Sequence, residues 1–216
     1  MKAIPRDVKR ITYSTEIRNL KHIPFTDLQK AVILGNILGD GCLCENWSKT
    51  NYRMIISHCV SQKEYIYWKY EILKNYILTE PRLNPKAQSF TIRTISHPDL
   101  SKFREMFYVN KKKIIPKNIK DILSNPLVLA VWFMDDGNKV VSNNKIRGYH
   151  LNTQSFTYDE NEQLATILKE LYSIETEIEK NKDKFRLAIR KTASRNNLRE
   201  KIESFILPSM KYKISV

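Results

Sequence analysis

Two apolar segments that each end on an aspartate followed by glycine constrain this chain more than any other feature. The first runs from Leu34 to Gly41 (LGNILGDG) and the second from Leu129 to Gly137 (LAVWFMDDG), with Asp40 and Asp136 in the same place. Each segment has the composition of a buried helix. Because an ionised carboxylate is costly to bury unless a cation meets it, matching carboxylates at two helix ends predict a pseudo-symmetric pair of metal sites.

Each acidic motif is followed by the same succession of elements, which predicts two similar halves. Two stretches of strand-like alternation around a polar turn come first, and a segment with helical spacing of apolar residues follows. A second strand pair and a closing helix complete each half, so the order αββαββα occurs twice and predicts an α+β fold. The predicted strands are 42–47, 52–59, 89–93, 138–142, 147–155 and 184–190, and the predicted helices are 61–76, 98–108, 158–172 and 192–206.

The length of the chain is consistent with this repetition. Its 216 residues suffice for one domain or for two fused repeats that each bury a core. The predicted boundaries are an N-terminal arm over 1–26, a first repeat over 27–108, a connection over 109–125 and a second repeat over 126–216.

The charge balance indicates the chemistry of the partner. Lys and Arg number 37 against 23 for Asp and Glu, which gives a net charge of +14. A polyanion is the partner that such a surface favours, because basic side chains release counterions from a phosphate backbone; solubility alone is the alternative. The longest apolar runs are too short to span a bilayer, so we expect no membrane partner. The abundance of Lys, Ile and Asn hints at an A/T-rich genome, and we expect an organelle-encoded mitochondrial protein or a bacterial cytoplasmic one.

The three cysteines do not have the spacing of a structural zinc site. Cys42 and Cys44 would share one strand face, so a metal cluster with His58 is conceivable. Small buried thiols in a reducing compartment are the expectation that we favour for Cys42, Cys44 and Cys59.

The two motifs, together with Trp132–Gly137 (WFMDDG) and Leu151–Thr157 (LNTQSFT), resemble the LAGLIDADG homing endonucleases. The resemblance is to the single-chain, two-motif, intron-encoded form and extends from about residue 27 to the C-terminus. It implies a monomer in which the two motif helices pack at the centre and two antiparallel sheets form a saddle over double-stranded DNA. It also implies hydrolysis of both strands at a long asymmetric site, leaving short 3′ overhangs.

The resemblance assigns metal ligands to the acidic ends of the motifs. Aligned on the motif, Asp40 and Asp136 would bind the divalent metal, and the backbone carbonyls of Gly39 and Asp135 could contribute. Phosphodiester hydrolysis needs an activated water and a stabilised leaving oxygen, which Mg²⁺ held by carboxylates supplies. The expected cofactor is therefore Mg²⁺, with Mn²⁺ as a substitute.

Four further side chains are candidates for the active sites. The family commonly places a basic residue near each scissile phosphate, and Lys112 and Lys213 fall in corresponding places after the two motifs. Lys111 or Lys113 could serve instead of Lys112, or the triple-lysine segment could be a solvated loop. His58 and Gln154 occupy corresponding positions beyond their aspartates and would hold active-site solvent, although His58 could equally be a strand histidine or a DNA contact.

The strands that would follow the DNA grooves are rich in the side chains that read bases and phosphates. These candidates are Asn46, Lys49, Asn51, Arg53, Lys86, Gln88 and Arg93 in the first half, and Asn138, Lys139, Asn143, Lys145, Arg147, Lys184, Arg186 and Arg190 in the second.

Two other functions fit the same scaffold. An RNA maturase that assists the splicing of its host group I intron would bind intron RNA and would not need both aspartates. A DNA-binding regulator without catalysis would be expected to have lost the acidic motif. Because Asp40 and Asp136 are both intact, we favour the endonuclease.

Overall fold

The computed structural model describes residues 14–215, and the chain divides between Met106 and Phe107 into two compact units. The elements of the first unit are α1 (Thr15–Leu20), α2 (Asp27–Leu38), β1 (Cys42–Glu45), β2 (Tyr52–Cys59), α3 (Lys63–Leu73), β3 (Arg82–Asn84), β4 (Ser89–Arg93) and α4 (Pro98–Phe107). The strands form a four-stranded antiparallel sheet of order β1-β2-β4-β3. Short 3-10 turns flank α3 at Val60–Gln62 and Lys74–Tyr76.

The second unit repeats this pattern after a short insertion. Its elements are β5 (Tyr108–Val109), β6 (Lys112–Lys113), α5 (Ile119–Leu123), α6 (Pro126–Asp136), β7 (Gly137–Ser142), β8 (Lys145–Leu151), α7 (Tyr158–Tyr172), β9 (Glu177–Asn181), β10 (Lys184–Ile189) and α8 (Thr192–Ile202). Its four-stranded antiparallel sheet has the order β7-β8-β10-β9. Further 3-10 turns at Glu203–Phe205 and Pro208–Lys213 follow α8.

The predicted α+β fold and the order αββαββα in each half are confirmed. The segment 109–125, expected as a plain connection, holds the hairpin β5–β6 and the helix α5. Within the arm expected over 1–26, residues 14–26 include α1, whose Ile17 and Leu20 are buried. The rest of that predicted arm lies outside the described residues.

Two strands end earlier than predicted, and in each case an asparagine terminates the pairing. β1 ends at Glu45 because Asn46 closes the following loop: its backbone N–H donates to Asn51 O at 2.9 Å and its Oδ1 accepts from Thr50 N at 2.9 Å. β8 ends at Leu151 because the N–H and Nδ2 of Asn152 both turn to the backbone carbonyl of Asp136.

The two motif helices are buried around most of their circumference, as their composition predicts. α2 begins with a capping box between Thr26 and Gln29, which satisfies N–H groups that the first helical turn cannot pair. α6 begins after Asn125, whose side chain accepts from Leu127 N, with Pro126 in the first turn. From Leu127 to Asp135 every residue of α6 is buried.

The core-facing residues of each sheet follow the period of two that strands impose. In β2 these are Met54, Ile56 and His58, which alternate with residues of the outer face. In β8 and β10 the register places Tyr149 opposite Ile189 and Leu151 opposite Leu187, all four buried. None of the described helices combines the length and apolar character that crossing a membrane requires.

The expectation of buried thiols is wrong. Cys42 and Cys59 are exposed and Cys44 is half-buried, because Leu43 takes the inward position of β1 and turns both neighbours outward. Cys42 Sγ lies 3.5 Å from Cys44 Sγ on the outer sheet face, whereas His58 points inward from β2. The conceivable cluster of Cys42, Cys44 and His58 is therefore not formed.

Candidate functional site

The two acidic motifs leave their helices differently. α2 ends at Leu38 with Gly39 as its C-cap, so Asp40 lies beyond the helix, whereas α6 continues through Asp136 to its C-cap Gly137. The C-cap of the first motif helix is Gly39, a residue type that lowers helical stability by about 1 kcal/mol relative to alanine. In the second motif Asp135 takes that place and the helix continues. The predicted matching of the two helix ends is thus only approximate.

The glycine after each aspartate is required by close packing. A Cβ built on Gly41 would lie 2.7 Å from Asn36 O, and one built on Gly137 would lie 2.4 Å from both Phe133 O and the Phe133 ring. These contacts allow the chain to turn directly from the motif helix into the first strand of each sheet. Each Asp-Gly pair therefore places its carboxylate at the junction of helix and sheet.

In the first unit, Asp40 combines access to solvent with a histidine partner. Its side chain is 45% exposed, and its Oδ2 lies 3.7 Å from Nδ1 of His58. His58 is 3% exposed and is the last inward-facing residue of β2. The structure thus brings together two of the predicted site residues, and an exposed carboxylate oxygen at this position can accept a hard cation.

Two residues that the sequence analysis missed lie behind His58. Lys69 on α3 is completely buried, with Nζ 2.7 Å from His58 Nε2 and 2.6 Å from Asn36 Oδ1. Asn36 belongs to the motif helix itself and is also completely buried. Asn36 could have been noticed in the sequence as a polar residue inside the apolar motif. Lys69 could not, because charged residues are common on helix surfaces.

In the second unit, the aspartates differ in burial. Asp135 is 9% exposed, whereas Asp136 is half-buried. The backbone carbonyl of Asp136 accepts from Asn152 N at 3.0 Å and from Asn152 Nδ2 at 2.7 Å. Gln154, predicted within a strand as the counterpart of His58, lies in the turn after β8 and donates to Asn152 Oδ1 at 3.4 Å. Asn152 is therefore a further site residue that was not singled out, although its segment carried the family resemblance.

Lys213 is a buried lysine at the end of α6. It is 8% exposed, and its Nζ donates to the backbone carbonyls of Met134 at 2.5 Å and Asp135 at 3.0 Å. The last carbonyls of a helix lack partners within the helix and carry partial negative charge, so an ammonium there is stabilising. The structure places Lys213 beside the second acidic motif, and the carbonyl of Asp135, a predicted metal contact, already accepts this bond.

The triple-lysine segment forms a tight hairpin. Asn110 and Lys111 occupy its turn with φ values of 47° and 65°, and Lys112 pairs with Val109. Lys112 is exposed and Lys113 is half-buried. Because neighbouring strand residues point to opposite faces, Lys112 and Lys113 cannot serve the same site, and Lys113 is the one directed toward protein.

Some of the predicted DNA-reading residues are bonded within the protein, and the exposed ones include Gln88 and Arg190, which also have such bonds. Asn51 Oδ1 accepts from Ser101 Oγ at 3.0 Å, Asn138 Oδ1 accepts from Asn152 Nδ2 at 3.0 Å, and Lys139 Nζ donates to Ser215 O. Asn46 is bonded within its loop, and Arg53 and Arg186 are half-buried. The exposed members are Lys49, Lys86, Gln88, Arg93, Asn143, Lys145, Arg147, Lys184 and Arg190.

The outer face of the second sheet also carries acidic residues, which the sequence analysis did not weigh. Glu179 on edge strand β9 contacts Arg186 and Arg190, both at 3.1 Å, and Glu177 contacts Arg190 at 3.0 Å. The hydrogen bond from Arg186 holds the pKa of Glu179 below its ordinary value. His150, 3.0 Å from Glu179, has its pKa lowered by burial. The arginines of this face are therefore partly neutralised.

In each of the two αββαββα repeats, a buried motif helix places a carboxylate beside the first strand of a sheet, which is the arrangement of two-motif DNA endonucleases. The chain belongs to the LAGLIDADG DNA endonuclease family, whose sequence model matches residues 30–196. The resemblance seen in the two motifs is thus confirmed.

Individual relatives cover nearly the whole chain. DNA endonuclease I-ChuI of Chlamydomonas applanata is 30% identical over 211 residues, which cover 88% of this chain and 95% of the relative. Cytochrome b mRNA maturase bI2 of Debaryomyces hansenii is 29% identical over 195 residues, which cover 85% of this chain and 72% of the relative. Among solved structures, the homing endonuclease I-WcaI bound to its DNA recognition sequence superposes with a TM-score of 0.82 at 26% identity, covering 94% of this chain and 93% of that one.

Proposed function

We propose that this protein is a homing endonuclease that hydrolyses both strands of a long, asymmetric double-stranded DNA site and leaves short 3′ overhangs. The observation that carries the proposal is the intact carboxylate that each unit places where its motif helix meets its sheet, Asp40 in one and Asp136 in the other. The similarity to I-ChuI and to DNA-bound I-WcaI supports it. Because the two units differ in sequence, the protein acts as a monomer on a site without palindromic symmetry.

The donor atoms of the two motifs fit a hard divalent cation. Asp40 offers a carboxylate that is 45% exposed, and Asp136 is the more accessible of the paired aspartates in the second motif. Mg²⁺ prefers such oxygen ligands and keeps several waters, so one carboxylate and a phosphate can suffice, and Mn²⁺ can replace it. The carbonyls of Gly39 and Asp135 are auxiliary candidates. The bound metal would supply activation of water and neutralisation of charge at the scissile phosphate.

The remaining site residues would position and stabilise the reacting groups. Lys213 holds the last carbonyls of α6 and so fixes the backbone that carries Asp136. Lys113 is the better basic candidate for the other site, since Lys112 is exposed. His58 faces Asp40, and Gln154 reaches the Asp136 carbonyl through Asn152.

DNA binding would use the outer faces of the two sheets. The exposed Arg, Lys, Asn and Gln side chains there can contact phosphates and base edges. The net charge of +14 predicts affinity that falls steeply with salt, because binding to phosphates releases counterions.

A second candidate function is RNA maturation. The similarity to the cytochrome b mRNA maturase of Debaryomyces hansenii favours it, and intron RNA would then be a further partner. The names of the relatives also support an organelle-encoded protein of an intron, with a bacterial origin as the alternative.

The test compares cleavage of a randomised DNA library in Mg²⁺ with cleavage in Ca²⁺ or EDTA. Recovered ends that share one long motif and a fixed 3′ overhang are the expected result. On that target, Asp40→Asn and Asp136→Asn should each abolish double-strand cleavage and retain binding, while Asp121→Asn, an exposed acid on α5, should cut normally. Cleavage at the wild-type rate by either motif variant would refute the metal assignment, and tight binding to structured intron RNA without DNA cleavage would favour the maturase.

A further inference from the structure

Lys69 is a completely buried lysine behind the first acidic motif. It lies on α3 one turn after Tyr65 and one turn before Leu73, so the helical period turns it inward with these two buried residues. A buried ammonium is costly unless it is paired and hydrogen-bonded. The contacts of Lys69 therefore have to offset the cost of burying its ammonium.

Asn36, His58 and Tyr65 lie against the ammonium of Lys69. Asn36 Oδ1 lies 2.6 Å from Nζ, His58 Nε2 lies 2.7 Å from it, and the centroid of the Tyr65 ring lies 3.9 Å from it. An oxygen acceptor, a nitrogen lone pair and an aromatic face all favour the charged form of a lysine. The amide of Asn36 is oriented for this contact because its Nδ2 donates to Val32 O at 2.7 Å, which leaves Oδ1 for Lys69.

The bond to Lys69 determines which nitrogen of His58 carries hydrogen. An ammonium has three donors and no acceptor, so Nε2 of His58 must accept. The single N–H of the neutral ring then lies on Nδ1, which is the nitrogen 3.7 Å from Asp40 Oδ2. In this arrangement the hydrogen of Nδ1 lies on the side of Asp40, at a distance longer than a hydrogen bond, and Nδ1 is not available as a metal ligand.

We propose that Lys69 is a positioning residue of the first active site: it fixes the orientation and tautomer of His58, so that Nδ1–H faces Asp40 and orients its carboxylate. The inference rests on the proposed function of Asp40. Lys69 touches neither substrate nor metal in this account, and it acts through His58 and through Asn36, which belongs to the motif helix. Outer partners of this kind typically change activity by about 10- to 100-fold when they are removed.

The first measurement is the tautomer of His58 in the wild-type protein, read from the ¹⁵N shifts of its ring nitrogens. The chain has four histidines, and His58→Gln identifies the signals of His58. We expect Nε2 in the range of an unprotonated nitrogen and Nδ1 in the range of an N–H nitrogen. The opposite pattern, with hydrogen on Nε2, would overturn the proposal whether or not any variant folds.

The second measurement compares Lys69→Met with Lys63→Met, which removes the same charge from an exposed position of the same helix. In Lys69→Met we expect the His58 ring to lose its single tautomer and the single-turnover cleavage rate to fall about 10- to 100-fold. DNA affinity should not change, and Lys63→Met should keep the tautomer and the rate. Equal cleavage rates in the two variants would overturn the proposal. Failure of the proposed function is distinguishable, because it would appear as cleavage by Asp40→Asn and would leave the ring shifts unaffected.

Discussion

Replacing Glu177 and Glu179 with glutamine should strengthen DNA binding, because both carboxylates form ion pairs with arginines on the outer face of the second sheet. Glu179 contacts Arg186 and Arg190, and Glu177 contacts Arg190, all at 3.0 to 3.1 Å. An arginine that reaches a phosphate or a base edge has to leave these carboxylates first. Breaking these ion pairs therefore costs free energy when the face binds DNA.

The size of the effect follows from the number and exposure of the contacts. The side chains involved are 22% to 60% exposed, and partners this exposed contribute about 0.2–1 kcal/mol per pair. Three pairs thus oppose binding by about 0.6–3 kcal/mol, which corresponds to about a 3- to 150-fold gain in affinity for the double variant. Because the same arginines contact DNA in both proteins, the number of neutralised phosphates and the logarithmic salt slope should change little, and the gain should appear in the affinity.

The assay is a titration of labelled target DNA at several salt concentrations in Ca²⁺, which separates binding from cleavage. Glu200→Gln is the matched control, because Glu200 is an exposed glutamate on α8 that pairs with Lys201. The control should change affinity by less than the single Glu179→Gln variant. Unchanged affinity in the double variant would show that Arg186 and Arg190 do not contact DNA.

The cysteine thiols should react with a disulfide reagent without denaturant, Cys44 more slowly than Cys42 because burial raises the pKa of Cys44; a requirement for unfolding would contradict their outward orientation. His97 should make the fold less stable at acid pH. Burial lowers its pKa below the ordinary 6.5, and its neutral ring donates from Nε2 to Ile23 O and accepts at Nδ1 from Asp99 N. Its contribution to stability is complete above pH 6.5 and is lost as the pH falls through the lower folded value. His97→Gln should therefore reduce the pH dependence of the melting temperature, and an identical dependence in this variant would contradict the assignment.

Elements with strong local signals could be predicted from the sequence. The helix predicted over 158–172 agrees with α7 because a capping box between Thr157 and Glu160 fixes its start, and Leu164, Ile167, Leu168 and Leu171 mark its apolar side. Short elements without such signals were missed. The hairpin β5–β6 has two residues in each strand, too few for any alternation to be visible.

The thiols of β1 show what the alternation of a strand cannot predict. Alternation correctly placed Cys42 and Cys44 on one face of β1, but it could not decide which face of the sheet is buried. That choice depends on the helices that pack on Leu43 and its neighbours, and a strand of four residues carries too little apolar content to reveal it. The same alternation is observed in β2, where His58 lies on the face opposite Cys59.

The internal repeat of the sequence predicts the two motif aspartates, but it does not predict the buried lysines that lie near them. The first unit supports its motif with Lys69 from the helix after β2, which binds a side chain of the motif helix. The second unit supports its motif with Lys213 from the 3-10 turn near the C-terminus, which binds the backbone carbonyls of its motif helix. These lysines occupy non-equivalent positions, so aligning the halves cannot pair them. A helix end that presents a carboxylate, and carbonyls without partners inside the helix, favours a nearby cation, and any packed element that reaches it can supply the ammonium.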